Sequence, residues 1–570
     1  MEQVLVPPKD VAEAVAQLGR PRPMRRGSVS ERRMKCGQAG CRCREDEKAR
    51  HGPYVTVTRV IDGQTRSRYL RGEQAEVARR QVEAGQQFRE HLEAYWQACE
   101  RWADAQLDPA EAASEEAAKK RGLKKAFDTE VVAEIEALVG ARVVEAWDFE
   151  AIETAARRQA MHVAARAIEQ RVNADTSDHA GPSLPCSCGQ LARYAGRHTK
   201  IFESVLGPLA LERAYYHCEP CETGFCPRDR ALGLADSSLS PGVLRMVGLV
   251  GAMVSFEEGH ELLHALGGVD VPTKHVERAA ESLGREIAQD ERHVVEPPPA
   301  GEAVAPTLYL GMDGTGVPMR SSELSGRAGK QPDGTAKTRE VKLCTVWSAE
   351  GRDAEGTPVR DAGSVSYSAA IESAAQRDTD EAPSAFAARV EREATRRGFE
   401  RAARRVVLGD GAKWIWNLAS EYFPDAVQIV DRFHAKQHLS DVGKAIDGAT
   451  SMCGRAWSQA RHDELDDGKT DDLLAALAIH AVANEEARTC LGYVEDNRDR
   501  MRYAAFRAAG LCTSTGVVEA GCKVAIGTRL KRTGMHWTVA GADAIIALRC
   551  CKLSGRFEEF WERRAQQRAA

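Results

Sequence analysis

The chain has 570 residues, 43% of them hydrophobic and 29% charged, with a formal net charge of −5. That length is too great for one hydrophobic core, so several domains are expected, and the composition is that of a soluble globular protein. The small net charge does not exclude a nucleic-acid partner: Arg is concentrated in residues 1–80 and again from Arg502 onward, and phosphate binding depends on local basic surface. Glu2, Lys9 and Asp10 leave no apolar leader, and the most apolar run, Met246 to Phe256, is too short for a bilayer. The sixteen cysteines cluster at short spacings and then scatter singly, which favours metal binding in a reducing cytoplasm over a disulfide framework.

Residues 1–72 read as a small Cys-rich domain, beginning with a weak helix and a linker over 1–23. Cys36, Cys41 and Cys43 with nearby His51 supply enough ligands for a tetrahedral zinc site; a reduced, Arg-flanked loop is the alternative. Residues 54–58 and 65–70 flank Asp62-Gly63, a hairpin signal. The alternating Arg and Thr of that hairpin are either a phosphate-contacting face or solvated charge. Residues 73–180 read as helical, with a long helix from Glu73 to about Trp102 and further helices through 129–172, the material of a bundle or a dimer contact.

Residues 181–232 read as a zinc-ribbon-like module. Cys186 and Cys188 are separated from Cys218 and Cys221 by a hairpin-length insert, and four thiolates on one zinc would stabilise a module with little core. Arg193, Arg197, His198, Lys200 and Arg213 would give it a basic surface. Residues 233–296 read as helical, with a candidate helix-turn-helix from Glu258 to Ala279 turning at Gly267-Gly268. Pro297 to Pro299 and Gly301 mark a linker.

From 303 to 440 strands and helices alternate. Strands are predicted at 307–313, 340–347, 363–367, 404–409 and 426–431, and helices at 383–398 and 412–421. Three strands, helix, strand, helix, strand is the order of a ribonuclease-H-like α/β fold, in which the ends of the first and fourth strands lie side by side. Both of those strands are apolar and end on an acid followed by glycine, Asp313 and Asp410. Residues 321–339 read as an exposed loop whose Arg327, Lys330, Lys337 and Arg339 could reach a nucleic-acid backbone. An all-helical insertion spans 441–510, and 511–570 adds a final helix carrying Glu519. Three carboxylates from separate elements are the hard oxygen donors that magnesium, or manganese, requires for phosphodiester chemistry. Taken singly, Asp313 and Asp410 are turn residues and Glu519 a solvated helix residue; their coincidence in this topology is the signal. Asp431 and His434 share one helix face with His438, fit to orient a phosphate, to brace the site by hydrogen bonds or, less simply, to bind zinc. Lys523, Arg529, Lys531, Arg532, His536 and Trp537 form a basic run with an aromatic, suited to gripping a DNA end, although Trp537 fits a core equally well. Trp414 and Trp416 read as core.

Asp-Gly-Thr-Gly-Val-Pro-Met at 313–319, Gly-Lys-Gln-Pro-Asp-Gly-Thr-Ala-Lys-Thr-Arg-Glu-Val-Lys at 329–342 and Leu-Gly-Asp-Gly-Ala-Lys-Trp-Ile-Trp-Asn at 408–417 are distinctive, as are Ile-Val-Asp-Arg-Phe-His at 429–434, Gly-Val-Val-Glu-Ala at 516–520 and Arg-Leu-Lys-Arg-Thr-Gly-Met-His-Trp at 529–537. Over roughly 180–560 the chain resembles bacterial insertion-sequence transposases of the Kra type, within the Mutator-like group. The resemblance implies a DDE core with metal-binding Asp313, Asp410 and Glu519, an Asp/Cys-x-x-His motif at Asp431 and His434, magnesium for strand cleavage and transfer, double-stranded DNA as partner and assembly as a homo-oligomer. Residues 24–107 resemble a domain of unknown function that accompanies such transposases. The expected function is transposition; a non-cutting DNA-binding protein and a structure-specific nuclease of the same fold are the alternatives.

Overall fold

The computed structural model describes residues 22–38, 40–61, 64–107, 149–235, 237–329, 334–375 and 383–569, with isolated positions at 15, 18, 129, 132, 133 and 331. The predicted helix within 1–23, the turn residues Asp62 and Gly63, Lys330 and the predicted helical segment from 134 to 148 lie outside the described residues. Contacts divide the chain into two units, residues 1–130 and 131–570.

In the first unit β1 (Ser28–Met34), β2 (His51–Ile61) and β3 (Gln64–Leu70) form an antiparallel sheet in that order, followed by α1 (Glu73–Leu107). β2 and β3 pair with Ile61 opposite Gln64, the register of a tight hairpin. Val57 is buried, as are Ala75, Ala78 and Val82 of the helix, and Arg79 pairs with Glu31 at 3.0 Å. The expected mixed Arg/Thr face does not form. Strand alternation sends Arg68 to the side that carries buried Val57, while Ser67 and Tyr69 take the other.

The second unit begins with α2 (Phe149–Ala174) and a four-stranded antiparallel sheet, β4 (Ser183–Pro185), β5 (Leu191–Ser204), β6 (Gly207–Cys218) and β7 (Thr223–Phe225). Ala165 of α2 shares a small core with Phe202, Leu209 and Leu211. Next come α3 (Pro227–Ala231), α4 (Pro241–Met253), α5 (Phe256–Leu262) and α6 (Thr273–His293). α5 and α6 flank Gly268, the predicted turn, whose φ of +68° is left-handed. Val276, Ala280, Leu283 and Ile287 of α6 belong to one core with Val341, Leu343 and Ile545. The Pro-rich stretch after Glu296 therefore links parts of one packed body, and 233–296 is no separate domain.

The central sheet contains β8 (Thr307–Pro318), β9 (Thr338–Ser348), a minor hairpin of β10 (Gly351–Arg352) and β11 (Pro358–Val359), then β12 (Ser366–Ala370), β13 (Arg404–Gly409) and β14 (Val427–Val430). Its order is β12-β9-β8-β13-β14; the first three strands are antiparallel neighbours, and β13 runs parallel to both β8 and β14. α7 (Ala385–Arg396) and α8 (Lys413–Tyr422) fall within a few residues of prediction. α9 (Arg432–Asp447), α10 (Met452–Asp467), α11 (Thr470–Ala481), α12 (Glu485–Asp496) and α13 (Tyr503–Ala508) form the helical insertion. α14 (Gly516–Gly521) continues through a π-helical turn, Cys522–Gly527, into the short α15 (Thr528–Leu530), and α16 (Val539–Leu553) and α17 (Phe557–Ala569) close the chain.

β8 does not end at Asp313. It stays paired with β9 as far as Pro318 opposite Thr338. The glycines that read as a turn make room instead for β9 side chains. A Cβ on Gly314 would lie 2.4 Å from the Glu340 carboxylate, and one on Gly316 would lie 2.8 Å from the Thr338 hydroxyl.

Candidate active site

Asp313 lies two residues past Gly311, which pairs with Leu408; Asp410 lies two residues past Leu408. Parallel pairing thus carries both acids to the same level of adjacent strands, although 97 positions separate them in sequence. They feel one another. Burial pushes the Asp313 carboxyl above the ordinary range; hydrogen bonds from the Cys522 thiol and the Gly314 N–H oppose that, the Asp410 charge adds to it, and His434 opposes it. Asp410 sits at a true strand end, where its Oδ1 accepts from the Ala412 N–H at 3.0 Å.

Glu519 arrives on α14, which docks against β8 at Gly311. A Cβ there would lie 2.1 Å from Val518 Cγ2, so glycine at 311 is what lets this helix approach the strand. Three residues after Glu519, on the same side of the helix, Cys522 hydrogen-bonds Asp313 and also feels the Glu519 charge. Glu519 itself is exposed. Among the described residues, the three carboxylates do not present one oxygen each within 4.8 Å of one another; only two Cys or Cys/His sets do so.

Both oxygens of Asp431 are committed to hydrogen bonds. It is 1% exposed and caps α9, with Oδ1 accepting the His434 N–H. Its Oδ2 accepts both the N–H and, at 2.9 Å, the hydroxyl of Thr515, and the Thr515 hydroxyl reaches Glu519 Oε1 at 3.5 Å. With its oxygens committed to α9 and to the turn before α14, Asp431 forms no metal set with His434 and His438 among the described residues. His434 meets His438 edge-on at 4.8 Å between centroids, His438 packs on Tyr493 at 4.6 Å, and Tyr493 donates to the Asp410 carbonyl at 3.1 Å. Burial, then the neighbouring His434, holds His438 below the ordinary histidine range.

Sequence reasoning missed Tyr493, Cys522 and Thr515 as site residues. Cys522 follows Glu519 at helical spacing, a signal that was present. Tyr493 lies on α12 of the insertion, and nothing in its local sequence marks it.

The proposed DNA-contacting residues divide. Arg327, Lys337 and Lys523 are exposed, Arg339 is half-buried, and exposed Lys531 donates to the Thr315 hydroxyl two positions beyond Asp313. Arg532 forms a two-pronged ion pair with Glu258, which holds that carboxyl down at about 2. Arg529 and Trp537 do not reach a ligand: they are 0% and 7% exposed. The Arg529 guanidinium lies 4.6 Å from the Phe256 ring and 5.3 Å from the Trp537 ring, and donates to the Gly251 carbonyl at 3.0 Å. Trp537 Nε1 donates to Leu530 O at 3.0 Å, which accounts for its burial. Trp416 is core as predicted.

In the four-stranded module Cys186 and Cys221 lie 3.6 Å apart, as do Cys188 and Cys218, and all four sulfurs fall within 4.8 Å of one another. In the first unit Cys36, Cys41, Cys43 and His51 do the same, with Cys41 Sγ 3.2 Å from His51 Nε2. Both sets have the donors and spacing to hold a metal ion. The expected basic surface on the module is smaller than its sequence implied. Arg213 is buried in an ion pair with Asp229, and Arg197 is bound to Asp178 at 2.8 Å, leaving Arg193 and His198 exposed.

Residues 8–79 match the family model of a domain of unknown function, DUF6788, which overlaps the Cys-rich first unit. No curated protein matches the chain. Among the described residues, no helix is long and apolar enough to cross a membrane.

Proposed function

We propose that the chain is a DDE transposase that cuts the ends of a DNA element and joins them to target DNA. One observation carries this reading: the β8–β13 register sets Asp313 beside Asp410, and the helix bearing Glu519 docks on the same strand at Gly311. A sheet of three antiparallel strands continued by two parallel ones, in the order β12-β9-β8-β13-β14, supports a ribonuclease-H-like core with an all-α insertion.

An all-carboxylate donor set fits magnesium or manganese. Asp313, Asp410 and Glu519 would hold the ions. Such ions supply an activated oxygen nucleophile and stabilise the leaving oxygen. The chain's own residues set the geometry. Asp431 holds the Thr515 turn from which the Glu519 helix starts, and the Cys522 thiol donates a hydrogen bond that favours the ionised Asp313 carboxylate. Exposed Lys531, Lys523, Arg327 and Lys337 offer the phosphate contacts. Water attacks phosphorus at the element end, the P–O3′ bond breaks, and the freed 3′ hydroxyl then attacks a target phosphodiester, expelling the target's 3′ oxygen. Zinc is the metal we assign to both thiolate-rich sets, where it ties together short, loop-rich segments. The protein would act in the bacterial cytoplasm on double-stranded DNA as a homo-oligomer.

The test is incubation with DNA ending in the element's terminal repeats, a target plasmid and Mg²⁺. Joined products support transposition, whereas nicks alone indicate a nuclease. Cutting that persists in Asp313→Ala and Asp410→Ala, with DNA binding intact, would remove the catalytic assignment.

A further inference from the structure

We propose that the open face of the N-terminal sheet binds single-stranded DNA by stacking unpaired bases on Tyr54 and Tyr69. The choice of DNA rests on the function proposed above; the stacking site rests on the sheet itself.

Strand pairing sorts the side chains. Val29, Val57 and Arg68 form one cross-strand row, and Val57 is buried on that side. The opposite side carries Ser28, Thr58 and Ser67 in one row, Ser30, Thr56 and Tyr69 in the next, and Arg32 opposite Tyr54 beyond. This second face is open: Tyr69 is 65% exposed and Tyr54 is 43% exposed. The rings lie 6.4 Å apart, edge to face, on neighbouring strands. Between and beside them the surface is levelled by hydroxyl pairs, Ser30 with Thr56 at 3.0 Å and Thr58 with Ser67 at 2.9 Å.

Two large aromatics left in water on a sheet face want a flat apolar partner, and every nucleobase offers one whatever its sequence. Charge selects a polyanion over a protein surface. Residues 22–72 contain fourteen Lys and Arg against five Asp and Glu, a net charge of +9 within a chain that is −5 overall. Exposed Arg32 stands next to Tyr54 on the same face, where it can meet a phosphate. The Cys36, Cys41, Cys43 and His51 set lies at the β1–β2 end of this face, where Met34 pairs with His51, so it fixes the strand end from which Tyr54 projects. A platform of this kind would hold a strand unpaired, with stacking supplying affinity and Arg32 a phosphate contact.

The test uses the full chain and fluorescence anisotropy with labelled oligo(dT), oligo(U) and a blunt duplex. Tyr54→Leu/Tyr69→Leu keeps apolar bulk and should weaken oligo(dT) binding at least tenfold while changing duplex binding little. Tyr54→Phe/Tyr69→Phe keeps both rings and should bind oligo(dT) like the parent. Because Tyr69 is exposed, Tyr69→Ala alone should weaken oligo(dT) several-fold without altering metal content, and this variant decides the matter should the double variant fold poorly. Oligo(dT) affinity unchanged in Tyr69→Ala and in the leucine pair overturns the proposal, as it would if the face instead covered a protein. A tenfold preference for oligo(U) overturns the assignment to DNA. Strand cleavage plays no part in these readouts, so a failed cleavage assay leaves this result separate.

Discussion

Asp431 and Thr515 are 84 positions apart in sequence, yet the buried Asp431 carboxylate takes two hydrogen bonds from that one residue. The contact spans the whole helical insertion and sets the turn from which the Glu519 helix starts. Thr515→Val keeps shape and the backbone bond but withdraws the hydroxyl from a buried charge. It should destabilise the fold by about 1–3 kcal/mol and lower DNA cleavage, whereas Thr515→Ser should restore both. Denaturant unfolding and strand-nicking rates on the three proteins check this; a valine variant with unchanged cleavage would show that the clamp does not position Glu519.

Asp313 should limit stability as well as perform chemistry. Burial raises its folded pKa above the unfolded value. The folded state therefore holds the proton more tightly than the unfolded chain, and the stability this contributes in acid is lost as pH rises through the folded pKa. Asp313→Asn removes that loss. The variant should match the parent in Tm at acidic pH and exceed it by a growing margin as pH rises, while losing cleavage. A variant less stable than the parent at neutral pH would contradict the burial-driven shift.

The purified chain should contain two tightly held zinc ions. Cys218→Ser should leave one, Cys43→Ser should leave one, and the double variant none, by elemental analysis. Chelation should lower Tm in the parent and have no further effect on the double variant. One zinc in the parent would remove whichever set keeps its stability after its cysteine is replaced.

Arg556 lies between two buried acids, with Nη1 3.0 Å from Glu393 and Nη2 3.0 Å from Glu291. Burial alone would raise the Glu393 carboxyl, but Arg556 above all, with Ser366 and Arg396, turns the shift downward. Arg556→Met takes the ion-pair partner from Glu291 and leaves Glu393 with Arg396 alone, and should cost about 3–5 kcal/mol. Adding Glu393→Gln and Glu291→Gln should recover much of the loss, as read from denaturant midpoints.

Much of the central sheet and its flanking helices was legible because each element has its own period and its own boundary. The strands at 307 and 404 are continuous apolar runs, as strands buried on both faces must be, and α7 and α8 start near their predicted positions. The misreadings have physical causes. Gly314 and Gly316 look like turn residues, yet they serve cross-strand packing, which only the β8–β9 register shows. Arg529 and Trp537 sit in a basic run whose composition points to solvent, but each turns inward onto Phe256. Tyr493 reaches Asp410 from a helix 83 residues further along the chain, a contact no local pattern encodes.

The most direct test of convergence is Mn²⁺ binding followed by electron paramagnetic resonance, in the parent and in Asp313→Asn, Asp410→Asn and Glu519→Gln. The parent should bind Mn²⁺, and each single variant should lose or sharply weaken that binding while keeping its fold and its zinc. Parent-like Mn²⁺ binding by Glu519→Gln would contradict a site built from all three acids.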